Sequence, residues 1–464
     1  MKKLFGEIDL TTGNIFKNLL FFTLPFFISF FLNSLYSAID LMFIGQYADS
    51  ISSSAVSSGT TITFIINSVL AGLATGGTIV IGKYFGAKSD NMSKITSSFL
   101  SYMIIVTLFA FILMLCIFYP AIDWMNIKGE EEQKMARTYL FILVLGIPFY
   151  GAYTSLCGIL RGLGNSFLPF VVLLIAVASN IAFDALFIIV FNMGSTGAAI
   201  ATVIGEIIAT IVSLIFVFVR KLPYEYKFKF QIDTSILKET VKSGLPIAIQ
   251  DGLVVLSFAI IFSMVASRGS NYSSAVGITD RVTSFGFVPL SAVGSAVSTA
   301  TAQNMGANKI DRVKKYMYFG LLIAFVLGGI MGAMCQIFPR QIASIFASNQ
   351  PEALEIAVPY IRSTSLDIFV CIFVFPINAV FIGSGHSVFA MVQNLAATFL
   401  VRIPVAAIFA IGLNESLYVI GLAYCISTTF SLILCIIFYV SKKWMKPFKL
   451  SKKVWKRLYW LQCV

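Results

Sequence analysis

Long runs of apolar residues restrict this chain to one class of fold. Runs of eighteen or more residues recur along all 464 positions, and each is long enough to cross a bilayer as a helix. Only 12% of the residues are charged, about half the share of a soluble domain. A transmembrane barrel would need short segments of alternating polarity, which the sequence lacks. We therefore predict an all-α polytopic membrane protein.

Twelve spans account for the apolar runs and place both termini on one side of the membrane. The first run is too long for the core of a signal peptide, so we expect it to be retained as span 1. The predicted spans are 15–42, 56–81, 98–119, 137–160, 167–191, 196–219, 244–266, 275–301, 316–338, 356–383, 388–411 and 416–440.

Lysine and arginine are distributed unequally between the two sides. Outside the spans and at their ends, 25 lie on the side of the termini and six on the other side. The positive-inside rule then predicts cytoplasmic termini and a location in the cytoplasmic membrane. This placement accounts for the net charge of +12 without nucleic-acid binding. The last residues predict either a basic amphipathic helix on the inner leaflet or a disordered basic tail.

Short motifs recur about 220 residues apart. SSAV occurs at 53–56 and again at 273–276, and GLGNS at 162–166 aligns with GSGHS at 383–387. Six spans per repeat put both copies into the membrane in the same direction, with a symmetry axis along the membrane normal. We predict a six-helix half at 1–220, a cytoplasmic linker at 221–243, a second six-helix half at 244–441 and the basic tail at 442–464.

The segment NIAFDALFII, residues 180–189, carries an amide and a carboxylate within an apolar run. A carboxylate at the bilayer centre costs at least about 2.5–3.5 kcal/mol, so it is a functional candidate. Asn180 and Asp184 share one helix face at i,i+4 spacing, as do Tyr36 and Asp40 on span 1. With Thr202 on span 6 they could form one pocket. Such a pocket suits either a coupled proton or Na⁺; the alternative is a polar contact that braces the helices.

Other polar residues in the spans form a second group of candidates. Acids outnumber bases there, which favours organic cations, and aromatic walls would suit such substrates. We expect substrate or cavity roles for Asp367, Asp251 and Glu206, structural roles for Asp280, Arg281 and Arg402, and a possible hinge at Pro25.

Several functional classes lack the residues they need. The chain has one histidine, His386, which leaves no Ser-His or His-metal catalytic arrangement. Its seven cysteines contain no CxxC pair, and no GxxxxGK[ST] loop is present. We therefore expect a monomeric, non-enzymatic protein without a cofactor or bound metal, except for a coupling H⁺ or Na⁺. Its expected partners are small organic cations and membrane lipids.

Four stretches together carry a family resemblance: LPFFISFFLNSLYSAIDLMFIG at 24–45, SNIAFDALFIIVFNMGSTGAAIATVIGE at 179–206, RVTSFGFVPLSAVGSAVSTATAQNMGAN at 281–308 and VRIPVAA at 401–407. The chain resembles the multidrug and toxic compound extrusion (MATE) family of cation-coupled exporters, in its DinF/MepA-like branch. The resemblance implies antiport of amphipathic organic cations by alternating access.

The same resemblance implies a cation site in the N-terminal half. The matching residues here are Asp40, Asn180, Asp184 and Thr202, and Tyr36 also matches. The family further implies that cation binding reshapes span 1. The alternative function is a lipid-linked precursor flippase of the same superfamily, although such flippases usually have fourteen spans and a basic cavity.

Overall fold

The described chain is helical, as the apolar runs predict. A computed structural model describes residues 8–47, 50–124, 129–220, 222–346 and 350–445, without the side chains of 37–55, 57–58, 61 and 124. This part contains twelve helical segments long and apolar enough to cross a membrane, and no strand. The predicted all-α polytopic fold is thereby confirmed. The predicted amphipathic tail falls almost entirely on residues 446–464, outside the described residues.

The helices follow one another with short connections. In chain order they are α1 Ile15–Tyr47, α2 Ser50–Gly86, α3 Met92–Trp124, α4 Glu130–Gly162, α5 Phe167–Asp184, α6 Gly194–Leu214, α7 Thr234–Ala266, α8 Ser270–Gly306, α9 Ile310–Ile337, the short α10 Pro339–Ser344, α11 Pro351–Ser384, α12 Ser387–Ala396, the short α13 Ile403–Ala407 and α14 Leu417–Val440. Wider π-helical turns follow α5 at Ala185–Val190 and α6 at Ile215–Val219, and flank α13 at Ala397–Arg402 and Ile408–Gly412.

Several helices extend beyond the apolar runs that predict them. The clearest case is α7, which begins at Thr234 although the apolar run begins near residue 244. The Asp233 carboxylate accepts a hydrogen bond from the backbone N–H of Ser235 at 3.0 Å and so caps the first turn. Apolar runs indicate the part of a helix in contact with lipid, whereas caps determine where the helix ends.

Each half of the chain packs mainly around one central helix. In the first half α4 packs against α2, α3 and α6, while α5 packs against α1 and α6. In the second half α11 packs against α8, α9 and α14. Contacts between the halves involve α2 with α7 and α8, and α1 with α8. We call the end of the bundle where α1 begins and α14 ends the terminal face.

Left-handed backbone positions recur at the spacing of the sequence repeat. Positive φ angles occur at Lys88 and Asn308, at Gly164 and Gly385, and at Asn192 and Asn414. The members of these pairs lie 220, 221 and 222 residues apart. Each follows a helix at a corresponding place in the two halves, so the repeat extends from sequence motifs to backbone conformation.

Close backbone contacts hold the two halves together at the terminal face. A Cβ atom on Gly86 would overlap the backbone of Gln303, and one on Gly306 would overlap the carbonyl group of Lys83. The Gln303 side chain also donates from Nε2 to the carbonyl oxygen of Gly162 at 2.9 Å. Near the start of α8, at the opposite end of that helix, a Cβ on Gly277 would have no neighbour within 4 Å among the described residues. The contact between α2 and α8 therefore closes the terminal face.

Residues 8–14, which we call the strap, cross the closed terminal face before α1 begins. Leu10 at its centre is fully buried, and its N–H donates to Gln303 Oε1 at 3.2 Å. At its start, the Ile8 N–H donates to the carbonyl oxygen of Gly164 at 2.9 Å. Strap carbonyl groups also accept hydrogen bonds from four side chains of the second half, namely Asn304, Lys309, Arg312 and Tyr316. The strap thus connects the α4–α5 loop to α8 and α9.

The charge of Asp9 supports this arrangement. Burial raises the pKa of Asp9, but hydrogen bonds from Thr11 and Thr12 and the charge of Lys309 outweigh that effect. The net result is a pKa below the ordinary value of 3.8. The ionised form is therefore the one that the strap stabilises.

Candidate functional site

The candidate site of the first half lies on α5, just before its π-helical turn. Asn180 and Asp184 are 4% and 0% exposed, so the two residues that share one helix face are both buried. Asp184 is the last residue of regular α-helix, and the π-helical turn begins at Ala185. Such turns widen the helix locally and are frequent at functional sites.

Asn180 is a buried amide on the inner face of α5. Neither Oδ1 nor Nδ2 has a hydrogen-bond partner among the described residues. Gly205 of α6 lies beside it, where an added Cβ would be 3.4 Å from the Cβ of Asn180, so the two helices pack closely here. An unsatisfied buried polar group costs about 1–3 kcal/mol. A ligand that contacts the amide would recover that energy.

The other residues predicted for the cation site are Thr202 on α6 and Tyr36 and Asp40 on α1. Thr202 is partly buried on α6, and its hydroxyl donates to the Ala198 carbonyl at 3.0 Å, which leaves the oxygen lone pairs as acceptors. Tyr36 is partly buried on α1, which packs against α5 and α6. Asp40 belongs to α1, but its side chain lies outside the described residues. The cation-coupling role of this set stays a prediction.

Glu206 lies one helical turn from Thr202 and faces α4. A Cβ on Gly146 would overlap the Glu206 carboxylate, so the missing side chain of Gly146 leaves room for the acid. The carboxylate acts electrostatically on the hydroxyl groups of Tyr150 and Tyr153, whose rings lie 5.3 Å apart in a T-shaped pair. Glu206 is partly buried and forms no ion pair within the described part of the chain. Its surroundings combine one carboxylate with two aromatic rings.

A second polar cluster is buried in the other half. Asp367 on α11 is 5% exposed and Arg402 is 8% exposed. The Arg402 guanidinium lies 5.5 Å from the ring centre of Phe258 and 5.2 Å from that of Tyr424, and its Nε donates to Ser427 Oγ at 3.2 Å. These contacts hold the guanidinium between two aromatic rings, and the structural role of Arg402 stays a prediction.

Asp367 faces Thr428 and Cys371 and also experiences the charge of Arg402. The two charged groups form no ion pair within 4 Å in the described residues. Each retains a buried polar atom without a hydrogen-bond partner there, Oδ1 of Asp367 and Nη1 of Arg402. A cavity role for Asp367 stays a prediction.

Among the remaining predicted residues, Asp280 lies near the second cluster, where its charge acts on the hydroxyl groups of Tyr360 and Tyr424. Asp251 on α7 and the adjacent Asp280 and Arg281 on α8 are exposed, and none forms an ion pair in the described part of the chain. Pro25 is buried within a continuous α1, and the Ser29 hydroxyl donates to its carbonyl oxygen at 2.7 Å. The roles predicted for these four residues stay untested.

Sequence reasoning missed the strap, the aromatic neighbours of Glu206 and the rings around Arg402. The glycines of the terminal face did leave a signal, because GAK at 86–88 and GAN at 306–308 are repeat-related. The strap left none, since its burial depends on side chains about 300 residues away.

Comparisons with known proteins identify a consistent group of relatives. The MatE family model matches residues 25–186 and 246–408, once in each half. The probable multidrug resistance protein YoeA of Bacillus subtilis is 27% identical over 450 residues, which cover 93% of this chain and 95% of that protein. The multidrug export protein MepA of Staphylococcus aureus is 25% identical over 395 residues, covering 82% and 85%.

Solved structures show the same architecture. A MATE in complex with MaD3S superposes with a TM-score of 0.89 over 95% of this chain and 99% of that chain, at 20% identity. An outward-facing multidrug resistance transporter of the MOP superfamily gives 0.85 over 99% of both chains, also at 20% identity. At this identity the likeness concerns the fold.

Proposed function

This chain belongs to the MatE family, and we propose that it exports amphipathic organic cations in exchange for an inward-moving cation. It would be a secondary transporter, because neither an enzyme nor an ATP-driven pump is supported by its residues. Its relatives YoeA and MepA are named as a multidrug resistance protein and a multidrug export protein. Export of several hydrophobic cations is the activity we infer from them.

The observation that carries the coupling proposal is the buried polar face of α5. A leucine at position 184 would avoid the cost of burying a carboxylate, so the acid needs a function. Asn180 adds an amide whose two polar atoms have no partner in the described residues. We propose that Asp184, Asn180, Asp40, Thr202 and Tyr36 bind the coupling ion. Carboxylate, amide and hydroxyl oxygens suit Na⁺, and a carboxylate pair equally suits a proton.

Alternating access would open and close the contact between α2 and α8. We propose that the terminal face is cytoplasmic, because 25 lysine and arginine residues lie on that side against six on the other. The closed terminal face would then belong to a conformation that opens outward. An inward-facing conformation would require Gly86 to separate from Gln303 and the strap to leave α8.

Substrate recognition would use carboxylates and aromatic rings within the bundle. Glu206, Tyr150 and Tyr153 combine a carboxyl group with the aromatic ring faces that bind an organic ammonium group. Asp367 and Asp251 are the corresponding candidates in the second half. A lipid-linked precursor flippase would instead need cations for its pyrophosphate, so the acids favour the exporter.

The decisive experiment uses purified protein in proteoliposomes. A pH gradient and a Na⁺ gradient are imposed separately while efflux of ethidium is followed by fluorescence. We expect one gradient to drive efflux. A pH gradient sufficient alone would identify a proton as the coupling ion, and a strict sodium requirement would identify Na⁺. No efflux under either gradient would refute the proposed antiport.

The coupling residues are tested by paired variants. Asp184→Asn should abolish driven efflux while the unfolding midpoint stays close to wild type. Asp311→Asn is the matched control, because Asp311 is an exposed acid at the start of α9 whose only ion pair in the described chain is with Lys314. Wild-type efflux from a protein carrying both Asp40→Asn and Asp184→Asn would refute this coupling site.

A further inference from the structure

A basic cavity adjoins the end of the strap on the terminal face. It has a volume of about 580 Å³ and lies between the start of α1 and the first turns of α9. Its lining includes Asn14, Phe16, Arg312, Lys315, Tyr318 and Phe319. None of the residues proposed for coupling or substrate binding contributes to it.

The charged residues that line the cavity are cations, and neither forms an ion pair with an acid in the described residues. These residues are Arg312 and Lys315. The Arg312 guanidinium donates to the strap carbonyls of Gly13, Leu10 and Thr12, which are neutral groups, and its buried Nε has no partner in the described residues. Lys315 is exposed and forms no ion pair within the described chain. Two cations thus face one cavity.

Apolar side chains continue from this cavity into the membrane-spanning region. On α1, Phe16 and Leu20 are exposed at i,i+4 spacing. On α9, Tyr318 and Leu322 are exposed at the same spacing. Phe16 also contacts Phe319 across the two helices, with ring centres 5.5 Å apart. A ligand bound here would place a charged group in the basic cavity and apolar chains along both helices.

We propose that this cavity binds the phosphate group of an anionic phospholipid and that the bound lipid holds the strap in its closed position. Two cations that form no ion pair in the described residues favour an anionic head group over a zwitterionic one, because the latter brings its own positive charge. The apolar surface below the cavity suits acyl chains, which a free phosphate ion lacks. Arg312 links lipid binding to the position of the strap, since it lines the cavity and donates to three strap carbonyls.

The lipid site is tested by a comparison of two neighbouring lysines. The full chain in detergent is titrated with phosphatidylglycerol, with phosphatidylcholine of the same acyl chains, and with inorganic phosphate, and binding is counted by native mass spectrometry. Lys315→Gln should weaken phosphatidylglycerol binding about fivefold, the equivalent of about 1 kcal/mol per surface lysine. Lys314→Gln is the control, because Lys314 pairs with Asp311 at 3.3 Å and does not line the cavity.

The Lys314→Gln control distinguishes a specific lipid site from nonspecific electrostatic attraction of anionic lipid to a basic surface. Both variants remove one positive charge, so equal weakening in both would refute the site. Equal binding of the two lipids would also refute it, and so would displacement of the lipid by millimolar inorganic phosphate, which would indicate a simple anion site.

The connection with the strap is tested by hydrogen exchange. The Leu10 N–H is bonded to Gln303, so its exchange reports release of the strap. Phosphatidylglycerol should slow exchange in residues 8–14 several-fold in the wild type and in Lys314→Gln, but less in Lys315→Gln. Exchange that does not respond to the lipid would refute the coupling between lipid and strap.

Discussion

Replacement of Asn180 by leucine should stabilise the fold and abolish transport. Leucine branches at Cγ as asparagine does but has no polar atoms. Both polar atoms of Asn180 are buried without a partner in the described residues. Because such an unsatisfied group costs about 1–3 kcal/mol, we expect Asn180→Leu to raise the free energy of unfolding by about that amount when no coupling ion is bound. Removal of the amide should at the same time abolish ion-driven efflux.

The same substitution at a buried asparagine just before the helix gives the control. Asn165 lies just before α5 and is also buried, but its Oδ1 accepts a hydrogen bond from the Leu168 N–H at 2.9 Å. Asn165→Leu should therefore lower the free energy of unfolding by about 0.5–2 kcal/mol, as loss of a helix cap does. Unfolding by sodium dodecyl sulfate in mixed micelles, followed by circular dichroism, measures the free energy of unfolding of both variants. Destabilisation of similar size in the two variants would refute the reasoning.

Three further predictions concern the terminal face and the acid on α6. Gly306→Ala should destabilise the closed terminal face by about 1–3 kcal/mol, because the new Cβ meets the backbone of α2. Distances between spin labels placed across that face should lengthen in this variant. They should not lengthen in Gly329→Ala, where the added Cβ has open space. The pKa of Asp9 is lowered, so its ionised carboxylate stabilises the strap above about pH 4, and this stabilisation is lost as pH falls through the folded-state pKa. Asp9→Asn should therefore flatten the decline in melting temperature between neutral pH and about pH 3. Gly146→Ala should displace the carboxylate of Glu206, and both this variant and Glu206→Gln should lower ethidium efflux. Efflux at the wild-type rate in both variants would exclude a substrate role for Glu206.

The membrane topology could be predicted from sequence because hydropathy is a local property. Each of the twelve apolar runs corresponds to a helix that is long and apolar enough to cross a membrane. The bounds were less accurate, as α7 shows, since Asp233 starts the helix in a polar segment. The i,i+4 spacing correctly placed Asn180 and Asp184 on one helix face, and the structure shows that this face is buried.

Distant contacts could not be predicted in the same way. We expected the same cavity role for Asp251 and Asp367, both acids in apolar runs, yet Asp251 is exposed and Asp367 is buried. The difference depends on which side of each helix meets a neighbour. Spacing within one helix contains no such information.

The strap also has a consequence for the order in which the protein is made. Leu10 is synthesised before Tyr316, whose hydroxyl donates to the Leu10 carbonyl at 2.8 Å and which comes 306 residues later. At about 5–20 residues per second the ribosome needs roughly 15–60 s to cover that distance. Throughout this interval the strap lacks its partners on α8 and α9. A chain that stalls or is cut before α8 is finished would display an unsatisfied strap, which protein quality control could recognise.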